Sequence, residues 1–145
     1  MANENYERDF YAWANEQAAL LRSGQWGRAD VEHIALEIES MGKTEKRELV
    51  SRLAVLLAHL LKWRFQPGLR GTSWRLTIEE QRYKVTDHIE DNPSLNAMRD
   101  EAIATAYRYA RVEAERETGL ARSVFPTVCP WTYDEIINEA FWPEG

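Results

Sequence analysis

The residues best suited to chemistry are concentrated in one stretch of the chain, between His59 and Arg82. An imidazole there could act as an acid or a base near neutral pH if a carboxylate oriented it. The catalytic candidates are therefore His59 as the acid or base and Glu80 as the orienting group, with Glu37 as the alternative orienting carboxylate. If the protein is an enzyme, this stretch predicts a hydrolase or nuclease-like site. The candidate binding residues are Lys62, Gln66, Arg75, Gln81 and Arg82.

No catalytic, metal or nucleotide motif is complete in the sequence. HExxH, GxSxG and glycine-rich phosphate loops are all absent. The histidines at positions 33, 59 and 88 stand far apart, so the sequence predicts no metal site and no cofactor. The single cysteine, Cys129, excludes an internal disulfide, and its apolar neighbours favour an inert buried thiol. Whether the chain is an enzyme stays open at this stage.

The net charge of −6 is distributed unevenly along the 145 residues. The first and last parts, residues 1–42 and 85–145, are acidic, whereas residues 43–84 are basic. One interpretation is that acidic helices pack around a basic central pair through many weak surface ion pairs. The other is a positive region that binds nucleic acid or another acidic partner.

Apolar residues recur at helical spacing along most of the chain, and no alternating strand pattern occurs. The pattern predicts an all-α protein with one domain over residues 1–145. Its architecture is a helical bundle of about five long or medium helices plus a short C-terminal helix. The predicted helices cover residues 6–23, 31–41, 45 to about 65, 72 or 73 to about 91, 93–118 and 132–140.

Short polar residues and glycines define the predicted helix ends. Gly42 is expected to separate the second helix from the third, and Gly119 to end the fifth. The predicted N-caps are Asp30 for the second helix, Thr44 for the third, Thr72 or Ser73 for the fourth, Asn92 for the fifth and Thr132, paired with Glu135, for the last.

Four polar residues fall inside the apolar stripes of these helices. A buried polar side chain costs about 1–3 kcal/mol unless a hydrogen bond satisfies it. The four must therefore find partners, either in an internal network that fixes helix register or in a ligand pocket. They are Gln17, Gln81, His88 and Glu113.

Seven ordered segments of the chain resemble the family known as domain of unknown function 29, which consists of bacterial proteins. They include IALEIESMGKTEKRELVSRLAVLLAHLLKW, SWRLTIEEQR and FPTVCPWT. The resemblance extends over about residues 5–143 and includes HLLKW, QP and SW..TI..QR within the His59–Arg82 stretch. It implies a compact helical bundle and no established activity, substrate or catalytic residue.

The sequence favours a non-catalytic helical interaction or regulatory module, which would bind a protein partner or a second copy of itself. Nucleic-acid binding through residues 43–84 is an alternative that is not favoured. No membrane association is expected, because the longest nearly apolar run, Leu53 to Leu61, is far shorter than the ~20 residues that a span needs. The first ten residues contain acidic side chains and no apolar leader, so a cytoplasmic location is expected.

Overall fold

The computed structural model describes residues 2–144, with side chains from residue 5 onward. Within these residues there is no strand, and the predicted all-α class is confirmed. Short 3-10 turns at 26–28, 67–69, 93–98 and 122–124 join the helices. The helices are α1 (Ala2–Arg8), α2 (Phe10–Arg22), α3 (Val31–Phe65), α4 (Thr72–Asp91), α5 (Arg99–Thr118) and α6 (Tyr133–Ile137).

The chain divides into two compact units, with the boundary between Thr44 and Glu45. The first unit contains α1, α2 and the beginning of α3. In it, Trp13 is buried and donates its indole N–H to Asp30 Oδ2 at 3.0 Å. The prediction of one domain over residues 1–145 stays a prediction.

The second unit holds the main hydrophobic core. Leucines of α3 at four- and three-residue spacing are fully buried there, as a heptad-like stripe predicts. Small alanines of α5 are also fully buried, where they allow close helix packing. The core includes Leu49, Leu53, Leu56, Leu60, Ile78, Val85, Ala102, Ala106, Ala110, Phe125 and Ile136.

The prediction of one helix from Tyr6 to Ser23 was wrong. The helix is interrupted at Asp9, whose φ of −150° and ψ of 80° are not helical. The Asp9 carboxylate accepts a hydrogen bond from the backbone N–H of Ala12 and so caps α2. The apolar repeat runs across Asp9 without a change of spacing, so the spacing alone did not indicate this helix start.

The prediction of separate helices on either side of Gly42 was also wrong, because α3 is continuous from Val31 to Phe65. A glycine inside a helix costs only about 0.5–1 kcal/mol relative to alanine. Thr44, the predicted cap, instead donates its hydroxyl hydrogen to the carbonyl of Ser40 within the helix, at 3.1 Å. The flanking helical segments therefore outweigh the glycine.

Two predicted N-caps are absent. Gly71 occupies the N-cap position of α4. Thr72 and Ser73 lie inside the first turn of the helix, so neither caps it. Asn92 does not cap α5, because the 3-10 turn 93–98 intervenes. Its side chain donates to the carbonyl of His88 and closes the end of α4 instead.

The predicted C-terminal features are largely confirmed. Gly119 ends α5 in a left-handed conformation with φ of 76°, and Thr132 with Glu135 forms the capping box of α6. This last helix ends at Ile137 rather than at residue 140. The apolar residues of the tail pack on the core, as Phe125 and Ile136 show.

Candidate functional site

His59 lies on α3 in a half-buried position beside a small cavity of about 260 Å³. Its Nδ1 is 2.8 Å from the carbonyl oxygen of Val55, one turn earlier in the same helix. Burial lowers the pKa of His59, with a smaller contribution from the positive charge of Lys62, whereas Glu117 acts in the opposite direction. The imidazole therefore favours its neutral form.

Glu80, the predicted orienting group, interacts with charged residues other than those that act on His59. It forms an ion pair with Lys84 at 2.5 Å, one turn along α4. The hydrogen bond from Lys84 lowers the pKa of Glu80, and Arg52 contributes to the same shift. The carboxylate that acts on His59 is Glu117, so the pairing of His59 with Glu80 has no support from these contacts.

Lys62, a candidate binding residue, is buried by structural contacts. Its ammonium group binds the carboxylate of Glu117 and lies 4.9 Å from the centroid of the Trp74 ring. These contacts join α3 to α4 and α5. Gln66 follows α3, where its backbone carbonyl accepts a hydrogen bond from Leu69 in the next turn.

Arg82, another candidate, anchors the C-terminal segment. Its Nε donates to the carbonyl of Ile136 at 2.8 Å and its Nη2 donates to the carbonyl of Phe141 at 2.6 Å. The guanidinium also lies 5.2 Å from the centroid of the Trp142 ring. Two of its three nitrogens are thus engaged by main-chain oxygens, whereas Nη1 is buried without a hydrogen-bond partner among the described residues.

The basic side chains of residues 43–84 are widely engaged by carboxylates. Arg75 pairs with Glu79 at 3.1 Å and Lys46 with Glu101 at 2.9 Å. Further pairs join Arg52 to Glu48, Lys62 to Glu117, Arg70 to Glu144 and Lys84 to Glu80. Three of these six partners, Glu101, Glu117 and Glu144, come from the acidic part 85–145, as packing of acidic helices around a basic centre predicts. The other three belong to residues 43–84 themselves.

The four polar residues of the apolar stripes do not pair with one another. Gln17 is buried in the first unit and accepts a hydrogen bond from the backbone N–H of Asp30 at 2.7 Å. Glu113 pairs with Arg116 in the same helix. His88 and Gln81 lie two helical turns apart on α4, and both face α3. Gln17 and Glu113 therefore serve separate local structures.

Asp30 organises a polar cluster in the first unit that sequence reasoning treated only as a helix cap. Its Oδ2 is 2.7 Å from His33 Nδ1 and 3.0 Å from Trp13 Nε1. Burial raises the pKa of Asp30, but the hydrogen bonds from His33 and Trp13 outweigh it and leave the pKa lowered. The His33 ring also stacks on Tyr6, with 3.9 Å between ring centroids.

His88 lies between two carboxylates of α3, an arrangement that the sequence did not suggest. Its Nε2 is 2.8 Å from the backbone carbonyl oxygen of Glu45 and 3.5 Å from Glu45 Oε2. Its Nδ1 is 3.9 Å from Glu48 Oε2. The residues are some forty positions apart in the chain, so only the packing of α4 on α3 brings them together.

Gln81 lines a neighbouring cavity of about 300 Å³ together with Glu48, Arg52 and residues of the same face of α3. Its Oε1 is buried and has no hydrogen-bond partner among the described residues. A buried amide oxygen without a donor is unfavourable by about 1–3 kcal/mol. The fold therefore leaves this buried acceptor without a donor among the described residues.

A larger open groove of about 700 Å³ lies between α3 and α5. Its lining is mainly apolar and includes Val50, Ala54 and Tyr109, with Lys46 and Arg47 at the edge. None of the catalytic or binding candidates from the sequence lines this groove. This groove and the chemically promising residues are thus in different places.

Comparison with models of protein families identifies the family of this chain. A model described as "Domain of unknown function DUF29" matches residues 5–142, nearly the whole chain. The chain belongs to this family. No curated protein and no solved structure matches it. Among the described residues, none of the helices combines the length and the apolar character that crossing a lipid bilayer requires. DUF29 membership therefore confirms the resemblance seen in the sequence without assigning an activity.

Proposed function

We propose that this DUF29 protein is a non-catalytic interaction module that binds a basic amphipathic helix of a partner protein. The observation that supports it is an exposed apolar stripe on α3. Val31, Ile38 and Met41 are 65%, 63% and 68% exposed, and Ile34 lies on the same side of the helix. The four recur at three- and four-residue spacing, which is the pattern that packs against another helix.

Further along α3, an adjacent face that contains Leu49, Leu53 and Leu56 is fully buried in the core of the second unit. Arg52 and His59, which lie directly above Ile34 and Met41 on the helix, are only half-buried. Large exposed apolar surfaces on proteins commonly mark interaction sites. The stripe Val31, Ile34, Ile38 and Met41 therefore has the composition of a buried helix face, yet three of its four residues are exposed and Ile34 is only half-buried.

The charges beside the stripe define the partner's chemistry. Residues 31–41 contain Glu32, Glu37 and Glu39 and no Lys or Arg. Two copies pairing through this stripe would bring six carboxylates together, and like charges at an interface oppose association. A helix with Lys or Arg beside its own apolar stripe satisfies both features, because helix-in-groove recognition combines apolar anchors with complementary flanking charges.

A designed peptide tests the proposal directly. One peptide of about five helical turns has a leucine stripe flanked by lysines, and a matched peptide has the same leucines flanked by glutamates. We expect the lysine peptide to bind with an affinity that falls as salt rises, and the glutamate peptide to bind at least about tenfold more weakly. Titration calorimetry measures both.

Variants of the protein locate the binding face. Ile38→Ser with Met41→Ser should weaken the lysine peptide at least about tenfold, because each buried aliphatic side chain contributes roughly 1.5–3 kcal/mol. Val128→Ser, at another exposed apolar residue, is the control and should bind normally. Equal binding by both proteins would contradict the proposal, as would a dimer in light scattering that Ile38→Glu dissociates.

The enzymatic alternative gains nothing from the contacts of its candidates. Lys62 and Arg82 bind groups of the protein itself, and His59 and Glu80 respond to different charges. For nucleic acid, the carboxylate partners of Lys46 and Arg75 reduce the positive potential available to phosphates. The interaction module is therefore the better supported function.

A bacterial source and a cytoplasmic location are further parts of the proposal. The resemblance to a bacterial family supports the first. The half-buried Cys129, which has no second cysteine to pair with, supports the second, because small secreted domains commonly depend on disulfides. Fractionation of cells that produce the protein, followed by immunoblotting, would test the location.

A further inference from the structure

The geometry points to a divalent transition-metal site formed by Glu45 and Glu48 of α3 and His88 of α4. Each of the three offers one ligand atom, and these atoms all lie within 4.8 Å of one another. One imidazole nitrogen and two carboxylate oxygens suit Zn²⁺ and chemically similar ions such as Co²⁺. The inference is independent of the proposed partner helix, whose binding stripe ends before Glu45.

The orientation of His88 carries the argument. A carbonyl oxygen can only accept, so the 2.8 Å contact with the backbone of Glu45 requires a hydrogen on Nε2. In neutral His88 the lone pair is then on Nδ1. The side chain is only 9% exposed, and Nδ1 has no hydrogen-bond partner among the described residues.

Nδ1 faces a carboxylate oxygen, which is also an electron-pair donor. Glu48 Oε2 lies 3.9 Å away, which is too far for a hydrogen bond. Two ligand atoms that each bind Zn²⁺ at about 2.0–2.2 Å can span a distance of this order. A cation between Nδ1 and Oε2 would satisfy both atoms. Glu45 Oε2 lies 3.5 Å from Nε2, the other ring nitrogen, so the Glu45 side chain would turn toward Nδ1 to complete the set of ligands.

The surrounding contacts resemble the supports that orient metal ligands. The histidine of a metal site usually donates its other ring N–H to a carbonyl or carboxylate, as His88 does to Glu45. Arg52 binds the opposite oxygen of Glu48 at 3.0 Å and fixes that carboxylate. Because Arg52 is also positive, it lowers the affinity for a cation, so binding weaker than that of a structural zinc finger is expected.

The neighbouring cavity supplies room for a water on the metal, since Glu48, Arg52 and Gln81 line it. Three protein ligands leave a fourth position open on a tetrahedral ion. Water in that position would extend into this cavity. Rotation of the Gln81 side chain would then offer it the buried Oε1, which has no hydrogen-bond partner among the described residues.

The test uses metal-free full-length protein. We expect Zn²⁺ to bind in calorimetry with one ion per chain, and Co²⁺ to produce a visible absorption band that changes with protein saturation. Glu48→Gln and His88→Gln should each weaken Zn²⁺ at least about tenfold, since even supporting residues contribute this much. His59→Gln is the matched histidine control and should bind as the unaltered protein does.

Nitrogen-15 spectra of the imidazole ring distinguish a metal from a simple ion pair. Binding of Zn²⁺ should shift the Nδ1 resonance of His88 while Nε2 keeps its proton. Circular dichroism checks that each variant is folded. If His88→Gln does not fold, Glu48→Gln still provides the test, because Glu48 is half-exposed. The inference is overturned if Zn²⁺ binds Glu48→Gln as tightly as the unaltered protein, or if saturation leaves the His88 resonances unchanged.

Discussion

At the residue scale, His59 shows that an imidazole that could act in catalysis can instead be engaged by contacts within the fold. Its Nδ1 is engaged by the carbonyl of Val55, and burial lowers its pKa. The sequence located it correctly at the edge of the apolar face of α3. The sequence could not identify Glu117 as the nearby carboxylate, because Glu117 is on α5 and the contact depends on helix packing.

The lowered pKa of His59 predicts a pH dependence of stability. The unfolded chain takes up a proton near pH 6.5, whereas folded His59 takes it up only at lower pH. Its effect on stability is therefore absent well above pH 6.5, and stability falls as the pH drops from about 6.5 to the folded pKa. Urea unfolding at several pH values should show a smaller loss for His59→Gln than for the unaltered protein.

His33→Gln is a suitable control for that experiment, because His33 belongs to the Asp30 cluster and to a different unit. If His59→Gln loses as much stability on acidification as the unaltered protein does, the prediction for His59 is wrong. All measurements need one protein concentration, since any self-association would change the apparent stability.

Arg82 illustrates the limit of inference from residue type. A basic residue in a basic stretch suggested an anion site, and the sequence placed it on α4 correctly. Its contacts with the carbonyls of Ile136 and Phe141 depend on where the C-terminal segment returns to the core. Those partners are more than fifty residues away, and no local pattern marks them.

At the element scale, α3 is the main difference between the expected and observed helices. Gly42 and Thr44 have the residue types of a helix boundary, but both are inside a helix of 35 residues. Conversely, the unremarked Asp9 separates α1 from α2. A capping residue makes a helix end possible. Whether the helix ends there depends on how strongly the flanking segments favour a continuous helix.

A substitution at Gly42 tests the continuity of α3. A Cβ added there meets nothing within 4 Å, so Gly42→Ala should stabilise the protein by about 0.5–1 kcal/mol. The matched control is Gly119→Ala, which should be destabilising because Gly119 has a φ of +76°. Urea unfolding followed by circular dichroism measures both, and destabilisation by Gly42→Ala would argue for a break in the helix.

At the scale of the whole molecule, the division at Thr44 predicts that residues 45–145 fold alone. Every residue of the main core cluster lies in this segment. We expect the fragment to show dispersed amide spectra and cooperative urea unfolding. It retains Glu45, Glu48 and His88 but not the stripe Val31 to Met41, so it should bind Zn²⁺ and should not bind the lysine peptide.

An unfolded fragment would instead favour the original prediction of one domain over residues 1–145. A fragment that begins at residue 31 provides the control, because it retains all of α3. If only the longer fragment folds, the first turns of α3 are needed for stability, and the boundary at Thr44 does not mark an independent unit.

The sequence by itself determined the all-α class, the family relationship, the buried leucine stripe of α3 and the local ends at Gly119 and Thr132. These features depend on apolar periodicity and on hydrogen bonds within a few residues, both of which are readable along the chain. The tertiary structure alone decided that His88 meets Glu45 and Glu48, that Arg82 holds the C-terminal segment and that Ile38 stays exposed. Such outcomes depend on which helix faces pack together, and residue spacing within one helix carries no information about its neighbours.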